Sequence, residues 1–244
     1  MKKVKNQILN RIEKMKNNIL VIIPAYNEEE SIEKVVSNLE NNFPFYDYVV
    51  INDGSKDATS EICHKNGFNI IDLPENLGLT GAVQTGFKYA LKNGYEKAVQ
   101  FDGDGQHLPE YIKDLSVAID EGNDCVIGSR FVTVKRPNSL RMLGNTLISF
   151  LIKLTTGKRI GDPTSGMRMF NQELIKQFAM NVNFTPEPDT ISFLIRRGFK
   201  VKEVQVKMKD REAGESYLTL SRSIKYMIHM FTSIIVIQNF RKEK

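Results

Sequence analysis

From residue 19 onward, short runs of apolar and β-branched residues alternate with longer segments in which apolar positions recur every three or four residues. Ile19-Leu20-Val21-Ile22-Ile23 is one such run, ended by Pro24. Tyr48-Val49-Val50-Ile51, Phe68-Asn69-Ile70-Ile71, Ala98-Val99-Gln100-Phe101 and Cys125-Val126-Ile127 follow it. Between them the spacing predicts helices over 28–41, 57–65, 80–92 and 109–121. Continuous apolar runs alternating with helices predict an α/β fold whose mostly parallel sheet is covered on both faces. Ligands of such sheets collect at the carboxyl ends of the strands, where the turns at Pro24, Asp53 and Asp102 fall.

The second half is less regular. Leu140, Leu143, Leu147, Leu151 and Leu154 recur at helical spacing and predict an amphipathic helix. Pro186, Pro188 and Gly198 bracket a helix over 189–197, and 201–206 alternates as a strand. Near the end, Ile224, Met227, Ile228, Phe231, Ile234 and Ile235 share one helical face that continues to Ile237. This gives three parts: a basic amphipathic segment over 1–17, the main domain over 18–217, and a C-terminal amphipathic helix over 218–244.

A chain of 244 residues suffices for one sizeable α/β domain with a full core. Its net charge of +5 and pI near 9.0 favour an anionic partner without choosing among nucleotide, nucleic acid and membrane. Nucleic acid fits poorly, because basic-aromatic interleaving and zinc-finger spacing are both missing. Cys63 and Cys125 have no metal-ligand spacing and read as buried free thiols of a reducing cytosol. Residues 1–16 carry six Lys or Arg among apolar positions but lack the pattern of a signal peptide. No stretch reaches the roughly 18 to 20 uncharged apolar residues of a membrane span.

The candidate chemistry begins at Asp102-Gly103-Asp104-Gly105-Gln106-His107, directly after a strand run. Alternate residues of an extended chain share a face, so Asp102 and Asp104 can converge, with Gln106 adding a neutral oxygen. Hard cations such as Mg²⁺ and Mn²⁺ choose such oxygens and share their shell with phosphate. A lone Asp-x-Asp is more often a solvated turn, so the other segments carry weight. Pro24-Ala25-Tyr26-Asn27-Glu28 offers a ring, an amide and a carboxylate suited to a nucleoside, though Asn27 also reads as a helix cap. Asp53 can accept from a base or a ribose, while Ser55 or Asp57 reads as the next cap. The glycines of 76–82 match neither the P-loop nor the dinucleotide pattern, which argues against an NTPase or a dehydrogenase.

Pro24-Ala25-Tyr26-Asn27-Glu28 followed by Asp102-Gly103-Asp104-Gly105-Gln106-His107 resembles glycosyltransferase family 2, in its dolichol-phosphate mannose and polyprenyl-phosphate glycosyl synthase branch. The resemblance runs from about residue 18 to 217, with the motifs in family order. Further matches are Gly128-Ser129-Arg130, Arg141 with Asn145, Asp162 to Arg168, and Arg211 to Ser216. It implies the GT-A nucleotide-sugar fold, with donor contacts at Pro24, Tyr26, Glu28, Ile51, Asp53, Asp102, Gly103 and Arg211. It further implies Mg²⁺ or Mn²⁺ at Asp102, Asp104 and Gln106, and an acceptor phosphate at Arg130, Arg141 and Asn145. Arg suits that last role, because its planar fork grips phosphate oxygens. Asp162, Asp104 and Arg130 are the catalytic candidates, Asp162 as the group orienting or activating the acceptor. Lys135 and Arg136 read as surface charge. Tyr217 stands where the family's diphosphate loop usually ends in Lys, and Asn52 where an acidic residue is common. Pro188 separates Glu187 from Asp189, where the family often has an acidic pair.

The implied activity is inverting transfer of one sugar from a UDP- or GDP-linked donor to a polyprenyl phosphate, at the cytosolic face of a membrane. Transfer to a nascent polysaccharide or other sugar acceptor is the alternative within enzymes. A non-catalytic nucleotide-sugar binder is the alternative outside them. The final helix is expected to dock on the membrane or on a small membrane-protein partner, or else to pack on the protein's own core. Homo-oligomerisation also stays open.

Overall fold

The computed structural model describes residues 18–137, 140–181, 187–209 and 220–237. The expected basic segment over 1–17 lies outside them. Seven strands form one sheet: β1 Ile19–Ala25, β2 Asp47–Asn52, β3 Ile70–Asp72, β4 Lys97–Gln100, β5 Cys125–Ser129, β6 Arg168–Asn171 and β7 Val201–Gln205. Their spatial order is β3-β2-β1-β4-β6-β5-β7. All pairings are parallel except those of β6, which runs against both β4 and β5. The sequence pattern misses β6, because four residues that begin with Arg168 and end with Asn171 carry too little periodicity to separate from a loop.

Alternation along β1 divides the core. Ile19, Val21 and Ile23 face one apolar cluster, and Leu20 and Ile22 face the other. The first cluster is covered by α1 Ile32–Asn42, α2 Thr59–Lys65 and α4 Ile112–Asp120, the last entered through a 3₁₀ turn at Pro109–Tyr111. The second is covered by α3 Gly78–Lys92, α5 Leu140–Thr156, α6 Gln172–Met180, α7 Pro188–Arg196 and α8 Leu220–Thr232. At its centre Phe87 stacks on Phe178 at 5.0 Å and meets Phe170 edge-on at 5.3 Å. Asn171 caps α6 by accepting from the Leu174 amide.

Two helices differ from the simplest amphipathic expectation. In α5 the buried face is Met142, Asn145, Ile148, Ser149, Leu151 and Ile152, whereas Leu143, Leu147 and Leu154 of the leucine repeat are exposed. Helix α8 continues as a π-helix over Ser233–Ile237, and its apolar residues divide between two sides. Met230 and Ile234 join the core, while Ile228, Phe231 and Val236 face outward. Polar contacts, one of them buried, fasten this helix to the start of α7. Ser233 Oγ donates to Asp189 at 2.6 Å, and Tyr226 Oη donates to Glu187 at 2.7 Å. The acidic pair interrupted by Pro188 thus holds the C-terminal helix. Among the described residues no helix is long and apolar enough to cross a membrane.

Candidate active site

Because β1, β2 and β4 are adjacent and parallel, the loops that leave their carboxyl ends meet. Asn27 has φ 56° and does not cap α1, which begins five residues later at Ile32. Its amide instead donates to Ser55 Oγ at 3.0 Å, and its Oδ1 accepts from the Lys56 amide at 2.9 Å, joining the first two loops. Ser55 is therefore a bridge, and it is Asp57 Oδ1 that accepts from the Thr59 amide at the start of α2. An open cleft of about 350 Å³ lies over this junction, lined by Glu28, Lys56 and Asp57 among others, but by neither Asp53 nor Asp102.

Tyr26 and Glu28 are partly exposed, and Glu28 accepts from Ser31 Oγ at 2.9 Å. Asp53 is buried and its Oδ1 accepts from the Leu77 amide at 2.7 Å. Burial lifts the Asp53 carboxyl above its ordinary value, with the Leu77 and Gly78 amides pulling against that rise. Gly54 next to it has φ 66°, and a Cβ there would meet the Asn76 amide at 2.8 Å. The 76–78 segment thus supports Asp53. Asn52 donates to Asp72 at 2.7 Å, so an acidic residue at 52 would confront a second carboxylate.

Asp102, Asp104 and Gln106 lie on one short, partly exposed loop. The Asp102 amide donates to His107 Nδ1 at 2.9 Å, which assigns the proton of that buried ring to Nε2, 3.6 Å from Asp102 Oδ2. Gln100, two residues earlier on the same side of β4, donates to Asp102 Oδ1 at 3.1 Å. Its own Oε1 is left buried without a hydrogen-bond partner. Asp104 Oδ1 accepts from the Gln106 amide at 3.1 Å, while Gln106 Nε2 turns to the Lys209 carbonyl at 3.3 Å. Among the described residues no three His, Cys, Asp or Glu side chains cluster around a point. Two carboxylates and an amide oxygen fit a hard cation whose remaining shell comes from a diphosphate.

The other half of the site is built around Asp162, which is 0% exposed. Arg130 at the end of β5 grips it with Nε at 2.7 Å and Nη2 at 2.9 Å, and adds its backbone amide at 3.1 Å. Asn145, buried on the inner face of α5, donates to Asp162 at 2.8 Å and to Thr164 at 2.7 Å. Glu203 of β7 accepts from the Gly161 amide at 2.6 Å and the Asp162 amide at 2.7 Å. Arg136 is half-buried rather than surface charge, since its guanidinium reaches Thr146 Oγ1 and the Gly161 carbonyl. Burial lowers its pKa, opposed by the charge of Asp162. Arg168 is buried and ties down the same loop through the carbonyls of Pro163, Ser165 and Glu187. So enclosed, Asp162 is paired with Arg130 and has no exposed surface.

The two halves touch at Gly166, where a Cβ would lie 2.4 Å from Asp102 Oδ2. Only a residue without a side chain lets the 162–166 loop approach the acidic loop so closely. Pro24, Tyr26, Glu28, Ile51, Asp53, Asp102, Gly103, Asp104, Gln106, Arg130, Asn145 and Asp162 thus lie at one end of the sheet. The Arg141 side chain and all of Arg211 fall outside what the structure describes. Sequence reasoning gave no role to Gln100, His107, Glu203 or Gln205. Of these, His107 stands inside a quoted motif, and Gln100 shares the alternation of Asp102. Glu203 and Gln205, which donates to the Arg130 carbonyl at 3.0 Å, come from a strand over 70 residues downstream and carry no local signal.

Comparison with known proteins agrees with this architecture. Polyprenol monophosphomannose synthase of Mycolicibacterium smegmatis is 31% identical over 217 residues, covering 82% of this chain and 80% of its own. Undecaprenyl-phosphate mannosyltransferase of Micrococcus luteus is 29% identical over 214 residues, covering 82% and 87%. Among solved structures, glucosyl-3-phosphoglycerate synthase of Mycobacterium tuberculosis, in complex with Mn²⁺, UDP and phosphoglyceric acid, superposes with a TM-score of 0.70. It covers 96% of this chain and 83% of its own at 18% identity, a likeness of fold and of the GT-A class. The model of glycosyl transferase family 2 matches residues 20–178, and the chain belongs to that family of glycosyltransferases.

Proposed function

We propose that this enzyme transfers one sugar from a nucleotide-diphosphate donor to a polyprenyl phosphate, with inversion, at the cytosolic face of a membrane, for cell-surface glycan synthesis or modification. The observation that carries the reading is the contact between Asp102 and Gly166, which sets an acidic, cation-suited loop beside an arginine cluster suited to a phosphate. A donor diphosphate and an anionic acceptor need just those two neighbours. Relatives named for polyprenyl- and undecaprenyl-phosphate acceptors support the acceptor class.

In this reading Tyr26, Glu28 and Asp53 receive the nucleoside, with Pro24, Ile51 and Gly103 shaping the floor. Asp102, Asp104 and Gln106 would hold Mg²⁺ or Mn²⁺, and the chemistry such an ion supplies is neutralisation of the charge developing on the leaving diphosphate. Arg130 holds the acceptor phosphate with one oxygen aimed at the anomeric carbon. Asp162, itself held by Asn145, fixes its guanidinium, and Glu203 fixes the backbone of the Gly161–Asp162 segment. That oxygen forms the new bond as the bond to the diphosphate breaks, and the diphosphate leaves with the electron pair. A phosphate monoester is already ionised near neutral pH, so no general base is required. Incubation with UDP- and GDP-sugars, Mg²⁺ or Mn²⁺ and undecaprenyl phosphate should yield a lipid-linked monosaccharide with inverted configuration. Sugar transfer only to a saccharide acceptor, or donor binding without any transfer, would overturn the proposal.

A further inference from the structure

The outer side of α5 carries a feature that the chemistry above does not use. Leu143, Leu147, Phe150 and Leu154 follow one another at helical spacing, and each is between 45% and 66% exposed. At about 100° per residue these four positions form one narrow stripe, opposite Asn145, Ile148 and Ile152, which pack inward. Val132 and Val134, in the segment between Arg130 and α5, are exposed as well. Large apolar side chains gathered on one surface of a soluble fold mark a contact with something else.

The charges name the partner. Between Asp124 and Asp162 the sequence has seven Lys or Arg and not one Asp or Glu. Of these, Lys135, Lys153, Lys158 and Arg159 are exposed. An apolar helix face bordered by cations and free of anions matches the interface of a bilayer containing anionic lipid. There the apolar side chains enter the acyl boundary and long basic side chains reach the headgroups. A protein partner of such uniform chemistry would have to be equally acidic and apolar.

We propose that the outer face of α5, together with the Val132–Val134 turn, docks this protein on an anionic lipid bilayer. The inference rests on the proposed acceptor only for its purpose. Asn145 on the inner side of the same helix binds Asp162, so one helix diameter, about 10 to 12 Å with side chains, separates bilayer from acceptor cluster. A lipid phosphate could then reach Arg130 while its chain stays in the membrane.

The test is sedimentation of the full chain with vesicles of phosphatidylcholine, alone or with about a third phosphatidylglycerol. Wild type should bind the anionic vesicles, more weakly in high salt. The double variant L147S/F150S should bind on the order of 10-fold or more weakly. Met180→Ser, at an exposed apolar position on α6, should bind as wild type does. Thermal melting of the double variant should match wild type, because neither residue is buried. Its transfer to a short, soluble prenyl phosphate should be unchanged, while transfer to vesicle-borne acceptor falls. Equal vesicle binding by wild type and the double variant would overturn the proposal, as would equal affinity for neutral and anionic vesicles. So would a dimer, seen by light scattering, that the substitutions dissociate without affecting vesicle binding. Loss of vesicle binding without any prenyl phosphate turnover, even in wild type, would sink the acceptor reading and leave the docking surface standing.

Discussion

Asp104 and Asp162 are both carboxylates near strand ends, and their surroundings give them different tasks. Asp104 sits partly exposed on a loop and makes a local turn contact, whereas Asp162 is enclosed and gripped by Arg130. Asp104→Asn should therefore leave the melting temperature near wild type and lower kcat by on the order of 100-fold or more, measured by sugar transfer. Asp162→Asn should instead destabilise the fold by about 2 to 4 kcal/mol in urea unfolding, less than a fully buried pair because Arg130 keeps some access to water. Glu203→Ala frees two backbone amides under the cluster, so it should raise the acceptor KM while donor affinity, read by nucleotide titration, stays constant. Asp72 gives a pH signature opposite in direction to that of Asp53. Burial raises it, but hydrogen bonds from Asn52, His64 and Ser60 outweigh that and hold it below its ordinary 3.8. Its contribution is present above 3.8 and is lost as pH falls through the lowered folded value, so Asp72→Asn should blunt the acid loss of stability in urea titrations. The acidic motif and Arg130 were legible in the sequence because each lies in a short run. Asp162's service to Arg130 was not, since residues 32 apart share no local pattern.

At the scale of elements, the strands were legible wherever several apolar residues ran together. The fourth helix start resolved into a 3₁₀ turn and an α-helix. The leucine repeat marked α5 correctly but could not tell which side meets the core, because a helix with polar Asn145 and Ser149 inside and leucines outside inverts the usual pattern. The inversion has a reason in the partners: Asn145 meets Asp162, and Ser149 donates to the Ile160 carbonyl. For α8 the packing changes what truncation should do. Removing residues 224–244 takes Met230, Ser233 and Ile234 out of the interior, so the shortened chain should unfold. The milder Ile234→Ala should cost about 2 to 5 kcal/mol by urea denaturation.

For the whole molecule, the two cysteines offer a probe of integrity. Burial pushes the Cys125 thiol up to about 12, with Arg168 and Asp124 as smaller and opposed influences. Burial, with the charge of Asp72 adding to it, pushes Cys63 up to about 11. Both should stay protonated and unreactive at neutral pH, so iodoacetamide labelling should track global unfolding, and fast labelling of the native protein would contradict this packing. Sequence alone determined the α/β class, the parallel strands and the loops that hold the chemistry, because runs of apolar residues and short motifs act within a few residues of one another. It also set the uniform positive charge of 125–161. The antiparallel insertion of β6, the contact of Gly166 with Asp102, the Arg130–Asp162–Asn145–Glu203 cluster and the outward leucines of α5 were decided by tertiary structure. Each depends on which distant segments the sheet order brings side by side, and no local periodicity carries that.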